Sequence, residues 1–344
     1  MRIEFARGRA AWIRGLFLAL LAAGLPACLS VDEEEEETPA LTEEERREAT
    51  DLEGRIGKAF EEAMTLRGAG PEAPENPRVL EALDGAATLC REYLDRFPSE
   101  AARDQVLYRL GMLCEASGEF EDAHAAFEEL IGRHPGSGRF REALEAEMRI
   151  ARRLFDGEKV SFLGLRILGG SSTGAEILEK LGEVAPFASF GDEALYRLGN
   201  YRLERGEFDE AVVHYETLVR RFPDSSLRIK AEYQAARSFF LKFHSLDYDL
   251  TPLEEALERF RAFIELHEEN PSEEVRILAG PEGARKMKAE IEGLLAEKNY
   301  RVGNWYRNRG RPEAARPYYR VVMSEYPLTE WAKRAEEKLK DMGP

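Results

Sequence analysis

Residues Leu195 to Pro223 read L-Y-R-L-G-N-Y-R-L-E-R-G-E-F-D-E-A-V-V-H-Y-E-T-L-V-R-R-F-P. Apolar residues recur at helical spacing on both sides of Gly206-Glu207-Phe208-Asp209, so the stretch reads as two short helices joined by a tight turn. Leu195, Leu198 and Gly199 mark the buried stripe of the first helix, helix A. Ala211, Tyr215 and Leu218 mark that of the second, helix B, and Pro223 ends the unit. A single pair of this kind cannot bury its apolar face alone, so it needs neighbours built the same way.

The neighbours are present. Leu110-Gly111…Gly118…Phe120…Ala123…Phe127…Pro135 and Val302-Gly303…Gly310…Ala315…Tyr319…Pro327 carry the same landmarks, and the helix A glycine precedes the closing proline by 24 residues in all three copies. This is the skeleton of a tetratricopeptide repeat. The expected fold is all-α: a right-handed solenoid of helix-turn-helix repeats with a capping C-terminal helix. A solenoid lengthens without adding separate cores, so 344 residues need not mean two domains. The charged fraction of 33% and the scarcity of β-branched runs agree with helices throughout. The net charge of −17 argues against a nucleic-acid groove, which needs the opposite sign.

The chain divides as follows. Residues 1–27 form the expected signal peptide. Arg2, Arg7, Arg9 and Arg14 make a basic start, Gly15 to Gly24 is apolar but too short to span a bilayer, and Leu25-Pro26-Ala27-Cys28 looks like a lipobox. Cys28 is then the lipidated N-terminus, and several acyl chains on one residue anchor a protein stably. An ordinary secretory signal cut after Ala27, with Cys28 incidental, is the other reading. Cleavage removes four Arg and one Glu, a net of three positive charges, which takes −17 to −20. Residues 28–76 hold the lipidated Cys28, the like-charge run Asp32 to Glu37, expected to repel itself and act as a tether, and an N-terminal helix. Thr42-Glu43-Glu44-Glu45 resembles a capping box at that helix's start. The solenoid is expected over 77–344, with repeats near 77–98, 101–135, 139–186, 192–223, 227–271 and 282–327 and a capping helix at 328–342. The first is expected to be an incomplete helix pair. An insertion at 156–174 interrupts the third. Its Val160 to Leu168 core reads either as an exposed apolar partner patch or as an added strand or helical turn.

No motif for catalysis, cofactor or metal appears: there is no Gly-rich phosphate loop, no G-x-S-x-G and no H-E-x-x-H. The five histidines, 124, 134, 214, 244 and 267, lack metal spacing and read as isolated surface or packing residues. Cys90 and Cys114 fall on core positions of adjacent repeats, as free thiols or as a disulfide. The sharper signal is Y-R-[LV]-G in helix A: Tyr108, Tyr196 and Tyr300 recur in register, with Met112, Asn200 and Asn304 four residues on and Arg307 beside the last. At 100° per residue these fall opposite the buried stripe, where a solenoid forms its concave groove. Tyrosine suits peptide binding there; packing against the adjoining helix A is the alternative.

The signal segment, the degenerate repeats ending in Phe97-Pro98, Phe222-Pro223 and Tyr326-Pro327, the Asp247-Tyr248-Asp249 loop and the segment from Leu295-Ala-Glu-Lys-Asn-Tyr300 through Asn304-Trp-Tyr306 to Tyr318-Tyr319 together resemble the BamD family of outer-membrane assembly lipoproteins, also called YfiO or ComL. The resemblance spans about residues 77 to 340. It implies a non-enzymatic protein held by its lipid anchor on the periplasmic face of the cell outer membrane, with protein partners and no small-molecule substrate. Its N-terminal repeats would receive unfolded outer-membrane proteins at Tyr108, Met112, Tyr196 and Asn200. Its C-terminal repeats would meet the barrel insertase at Tyr300, Asn304 and Arg307. An adaptor for secretin assembly or envelope and cell-division coordination is the alternative function.

Overall fold

The computed structural model describes residues 41–68, 76–98, 101–157, 160–162, 165–167 and 170–343. The signal segment, Cys28 and the acidic run lie outside these residues. Fourteen helices and one small hairpin occur among them. The helices are α1 (Glu43–Gly68), α2 (Pro77–Arg96), α3 (Arg103–Ser117), α4 (Phe120–Arg133), α5 (Phe140–Phe155), α6 (Ser171–Val184), α7 (Gly191–Glu204) and α8 (Phe208–Arg221). They continue as α9 (Arg228–Leu241), α10 (Thr251–His267), α11 (Glu273–Ala279), α12 (Ala284–Asn308), α13 (Pro312–Glu325) and α14 (Glu330–Asp341). Successive helices pack on one another, and alternate ones also meet at α1–α3, α3–α5, α10–α12 and α12–α14. That pattern is a solenoid, in which each repeat contacts only its neighbours.

Helices α3–α4, α5–α6, α7–α8, α9–α10 and α12–α13 are the A–B pairs of repeats two to six. Their turns follow from the sequence: Gly118, Gly206 and Gly310 take the left-handed conformation, with φ of 83°, 76° and 71°, which costs a glycine least. The closing turn of a repeat is tied back to its own first helix. Ser137 Oγ donates to Asp104 Oδ2 and Ser225 Oγ to Asp192 Oδ2, both at 2.5 Å.

The N-terminus differs from the expectation. Residues 77–98 contain one helix, not a pair, and its partner is α1. Ala49, Leu52, Ile56 and Ala63 of α1 are buried against α2 and α3. Their spacing is helical, but two of the four are alanines, so the stripe reads as thin in sequence although small residues are what a close helix approach accommodates. The start of α1 is closed by a capping box. The Thr42 backbone N–H donates to Glu45 Oε2 at 2.7 Å, and the Glu45 N–H donates to Thr42 Oγ1 at 3.2 Å.

The insertion in repeat three holds the antiparallel strands β1 (Val160–Phe162) and β2 (Leu165–Ile167), paired Val160 to Ile167 and Phe162 to Leu165. Between repeats five and six the short α11 precedes the long α12, which becomes helix A of repeat six. At the end, α14 buries Ala332 and Ala335 and starts from Thr329, whose side chain accepts from the Ala332 N–H.

Candidate functional site

Helix A carries the repeated tyrosines, and each packs on an aromatic ring of helix B in its own repeat. Tyr108 lies 6.0 Å from Phe127, Tyr196 5.9 Å from Tyr215 and Tyr300 5.7 Å from Tyr319, all tilted. A fourth member was missed in the sequence: Tyr233 of α9 meets Phe260 at 5.7 Å. It occupies the same position of helix A, but Ala236 stands where the other three copies have glycine, and this hid the register.

The glycine three residues after the tyrosine exists for the same ring. A Cβ on Gly111, Gly199 or Gly303 would sit 2.6, 2.5 or 2.7 Å from Phe127, Tyr215 or Tyr319, rings that are wholly buried. Gly199→Ala is therefore expected to destabilise the protein by about 1–3 kcal/mol through overpacking, partly offset by alanine's better helix propensity of about 1 kcal/mol. Gly85, exposed in α2 with nothing within 4 Å of its Cβ position, should gain roughly that propensity on the same substitution. Urea midpoints of the two variants should move in opposite directions.

Position four after the tyrosine was expected to line a groove. In two repeats it satisfies the buried ring instead. Tyr215 Oη donates to Asn200 Oδ1 and Tyr319 Oη to Asn304 Oδ1, each at 2.8 Å. Where helix B carries Phe127 or Phe260, with no hydroxyl to satisfy, the same position holds Met112 or Arg237. Burial pushes the phenols of Tyr215 and Tyr319 up, and the positive charge of Arg307 partly offsets this at Tyr319.

Tyr108, Met112, Tyr196, Asn200, Asn304 and Arg307 are half-buried, so each keeps an accessible edge. Arg139 of the next helix A sits 5.0 Å from the Tyr108 ring, and Met112 Sδ accepts from Arg149 at 3.7 Å. Tyr300 is a correction to the expected groove. It is only 9% exposed because Trp331 of α14 covers it at 5.3 Å. The helix beyond repeat six occupies the face that the helix A of a further repeat would cover.

Two histidines are not the isolated side chains expected from the sequence. His124 Nδ1 lies 2.9 Å from Oε1 of Glu147, which is 2% exposed, and His267 Nε2 lies 2.8 Å from Glu232 Oε2. Around the first pair, Glu128 of α4 and Lys180 of α6 form an ion pair, and a cavity of about 260 Å³ opens between α4, α5 and α6. Burial pushes the Glu147 carboxyl up against the opposing pull of His124. Burial alone would push His124 down, but hydrogen bonding and charge from Glu147 outweigh it, leaving the imidazole raised. The sequence did carry a signal, since Glu147 falls on the buried stripe of α5 among Ala143, Ala146, Met148 and Ile150.

Cys90 and Cys114 are buried free thiols, and burial pushes both up to about 12, which makes them poor nucleophiles at neutral pH. Cys114, Glu119 and Asp122 converge, but the Arg91 guanidinium already occupies their midst, 3.7 Å from Cys114 Sγ and 2.9 Å from Asp122.

Two family models match the sequence. Residues 105–137 match the tetratricopeptide-repeat model, and residues 173–342 match the model of YfiO, described as an outer membrane lipoprotein. The chain is a helical solenoid with a tetratricopeptide repeat at residues 105–137, and it is similar to YfiO over residues 173–342, just under half of its length. That stretch begins inside α6 and contains repeats four to six and α14. No curated protein matches the chain significantly. Among solved structures, the chain is similar to MamA, at 13% identity over 71% of this chain and 98% of the other with a TM-score of 0.30. It is also similar to the C-terminal part of a TPR repeat-containing protein from Cytophaga hutchinsonii, at 13% identity over 85% and 98% with a TM-score of 0.33. A third is PilW, a type IV pilus biogenesis factor, at 13% over 81% and 97% with a TM-score of 0.25. No helix among the described residues is long and apolar enough to cross a membrane.

Proposed function

We propose that the chain is a lipid-anchored protein of the outer membrane that binds protein partners in the assembly and insertion of β-barrel proteins. The observation that carries this reading is the YfiO match over residues 173–342, a family described as outer membrane lipoproteins. The lipobox-like Leu25-Pro26-Ala27-Cys28 agrees with it. In this reading the accessible edges of Tyr108, Met112, Tyr196 and Asn200 meet unfolded barrel proteins, and Asn304 and Arg307 lie on the insertase side. Tyr300 supports that side from beneath rather than touching the partner.

Gentle crosslinking followed by purification of the lipidated protein tests the reading. A barrel insertase should be recovered. Recovery of a secretin or a division protein without any insertase would transfer the solenoid to another assembly. Cys28→Ser should release the protein into the soluble periplasm; continued sedimentation with membranes would contradict the anchor.

A further inference from the structure

From Tyr300 to Val321 the chain reverses its charge. The segment holds Arg301, Arg307, Arg309, Arg311, Arg316 and Arg320 against one acid, Glu313, in a protein of net charge −17. Arg301 is tied to Glu297, and Arg316 to Glu313 and the carbonyl of Gly343. Arg309, Arg311 and Arg320 are exposed and have no carboxylate partner among the described residues.

An aromatic platform lies in the same segment. Trp305 is 49% exposed and meets Tyr306 edge-on at 4.8 Å. Tyr306 stacks on Tyr318 of α13 at 5.5 Å with 18° between the rings. The Arg309 guanidinium sits over Trp305, 3.9 Å from the ring centroid. A guanidinium held on an aromatic face loses less freedom when it engages a carboxylate, and its planar N–H groups match that carboxylate in a fork. Trp, Tyr and Arg are also the side chains that most often anchor interfaces.

We propose that the Trp305–Tyr306–Arg309–Tyr318 platform, with Arg311, whose backbone N–H donates to the Tyr306 carbonyl at 3.1 Å, docks an acidic protein segment that carries an aromatic or apolar anchor. The proposal rests on the partner-binding reading above and gives one partner a chemistry. Charge complementarity selects the occupant. Arginines without an internal partner attract carboxylates. An extended polyanion, a bilayer surface or a nucleic acid would instead bring dense negative charge against a chain that is itself strongly acidic.

The test uses the full-length protein in detergent and a fluorescein-labelled twelve-residue peptide of Glu, Gly and Trp, with a control in which Gln replaces every Glu. Anisotropy should show binding of the acidic peptide only, weakening as salt is raised. Arg309→Gln with Arg311→Gln, and separately Trp305→Ala, should each weaken it about tenfold or more, with unchanged circular dichroism melts. Equal binding of the Gln peptide, or a double variant that binds as the parent does, overturns the proposal. Arginine-dependent cosedimentation with phosphatidylglycerol vesicles in the absence of peptide binding also overturns it, because the platform is then a membrane contact. Insertase capture that survives the double variant sinks this inference and leaves the proposed function standing. Peptide binding without any insertase captured does the reverse.

Discussion

Tyr215→Ala is expected to cost about 3–5 kcal/mol, the range for truncating a fully buried aromatic. The ring fills the space that Gly199 leaves, packs against Tyr196 at 5.9 Å and donates its hydroxyl to Asn200 at 2.8 Å. Alanine would leave a cavity between α7 and α8 and remove the support under Tyr196. Because a solenoid's stability is a sum of local terms, the loss should concentrate in repeat four and its neighbours. Hydrogen exchange should rise across α7, α8 and α9 while α1 to α4 keep their protection. Tyr215→Phe isolates the hydroxyl and should cost only about 1 kcal/mol. A double-mutant cycle with Asn200→Ala should show coupling between the two. Additive effects would mean that Asn200 is free for another role, including the partner contact first read from the sequence.

His124→Ala should destabilise the protein by about 3–5 kcal/mol near pH 6.5, where the raised imidazole still carries its charge, since it strips the partner from a buried carboxylate. The pH dependence has a definite sign. Both folded pKa values are raised: His124 because Glu147 outweighs its burial, and Glu147 because burial outweighs His124. A group raised on folding contributes stability that is complete below its unfolded value and is lost as pH rises through its folded value. The ordinary values are 6.5 for the imidazole and 4.5 for the carboxyl. The parent should therefore lose stability as pH climbs from mildly acidic through and above 6.5. Glu128 and Lys180, which face the same cavity, remain paired with each other over this range. In the variant, Glu147 can avoid an unpaired charge only by keeping its proton, so the deficit should shrink on acidification. Adding Glu147→Gln to the variant should recover much of the loss, because a neutral amide needs no cation. A His124→Ala protein that melts like the parent near pH 6.5 would show that the pair does not hold α4 to α5.

The triple registration of Gly111, Gly199 and Gly303 with their closing prolines carried the solenoid, because a ring-on-glycine contact recurs at a fixed separation along the chain. The N-terminal pair was less legible, since two of the four buried positions of α1 are alanines, whose apolar signal is weak. Tyr233 escaped for the opposite reason: its glycine had become Ala236, and the long loop before α10 displaced the helix B landmarks.

By itself the sequence determined what depends on local spacing: the helices, the turns and the register of the repeated landmarks. It also placed Tyr108, Tyr196 and Tyr300 on a common row of helix A. Only the tertiary structure decided what that row touches. Asn200 and Asn304 turn inward to accept a tyrosine hydroxyl because helix B brings that hydroxyl to them, an event fifteen residues distant that helical periodicity cannot express. Trp331 covers Tyr300 because α14 lies where another helix A would. Likewise Arg309, Arg311 and Arg320 are plain charges in sequence. That none of the three meets a carboxylate among the described residues, and that Arg309 sits on Trp305, depends on which carboxylates and rings the packing brings within reach.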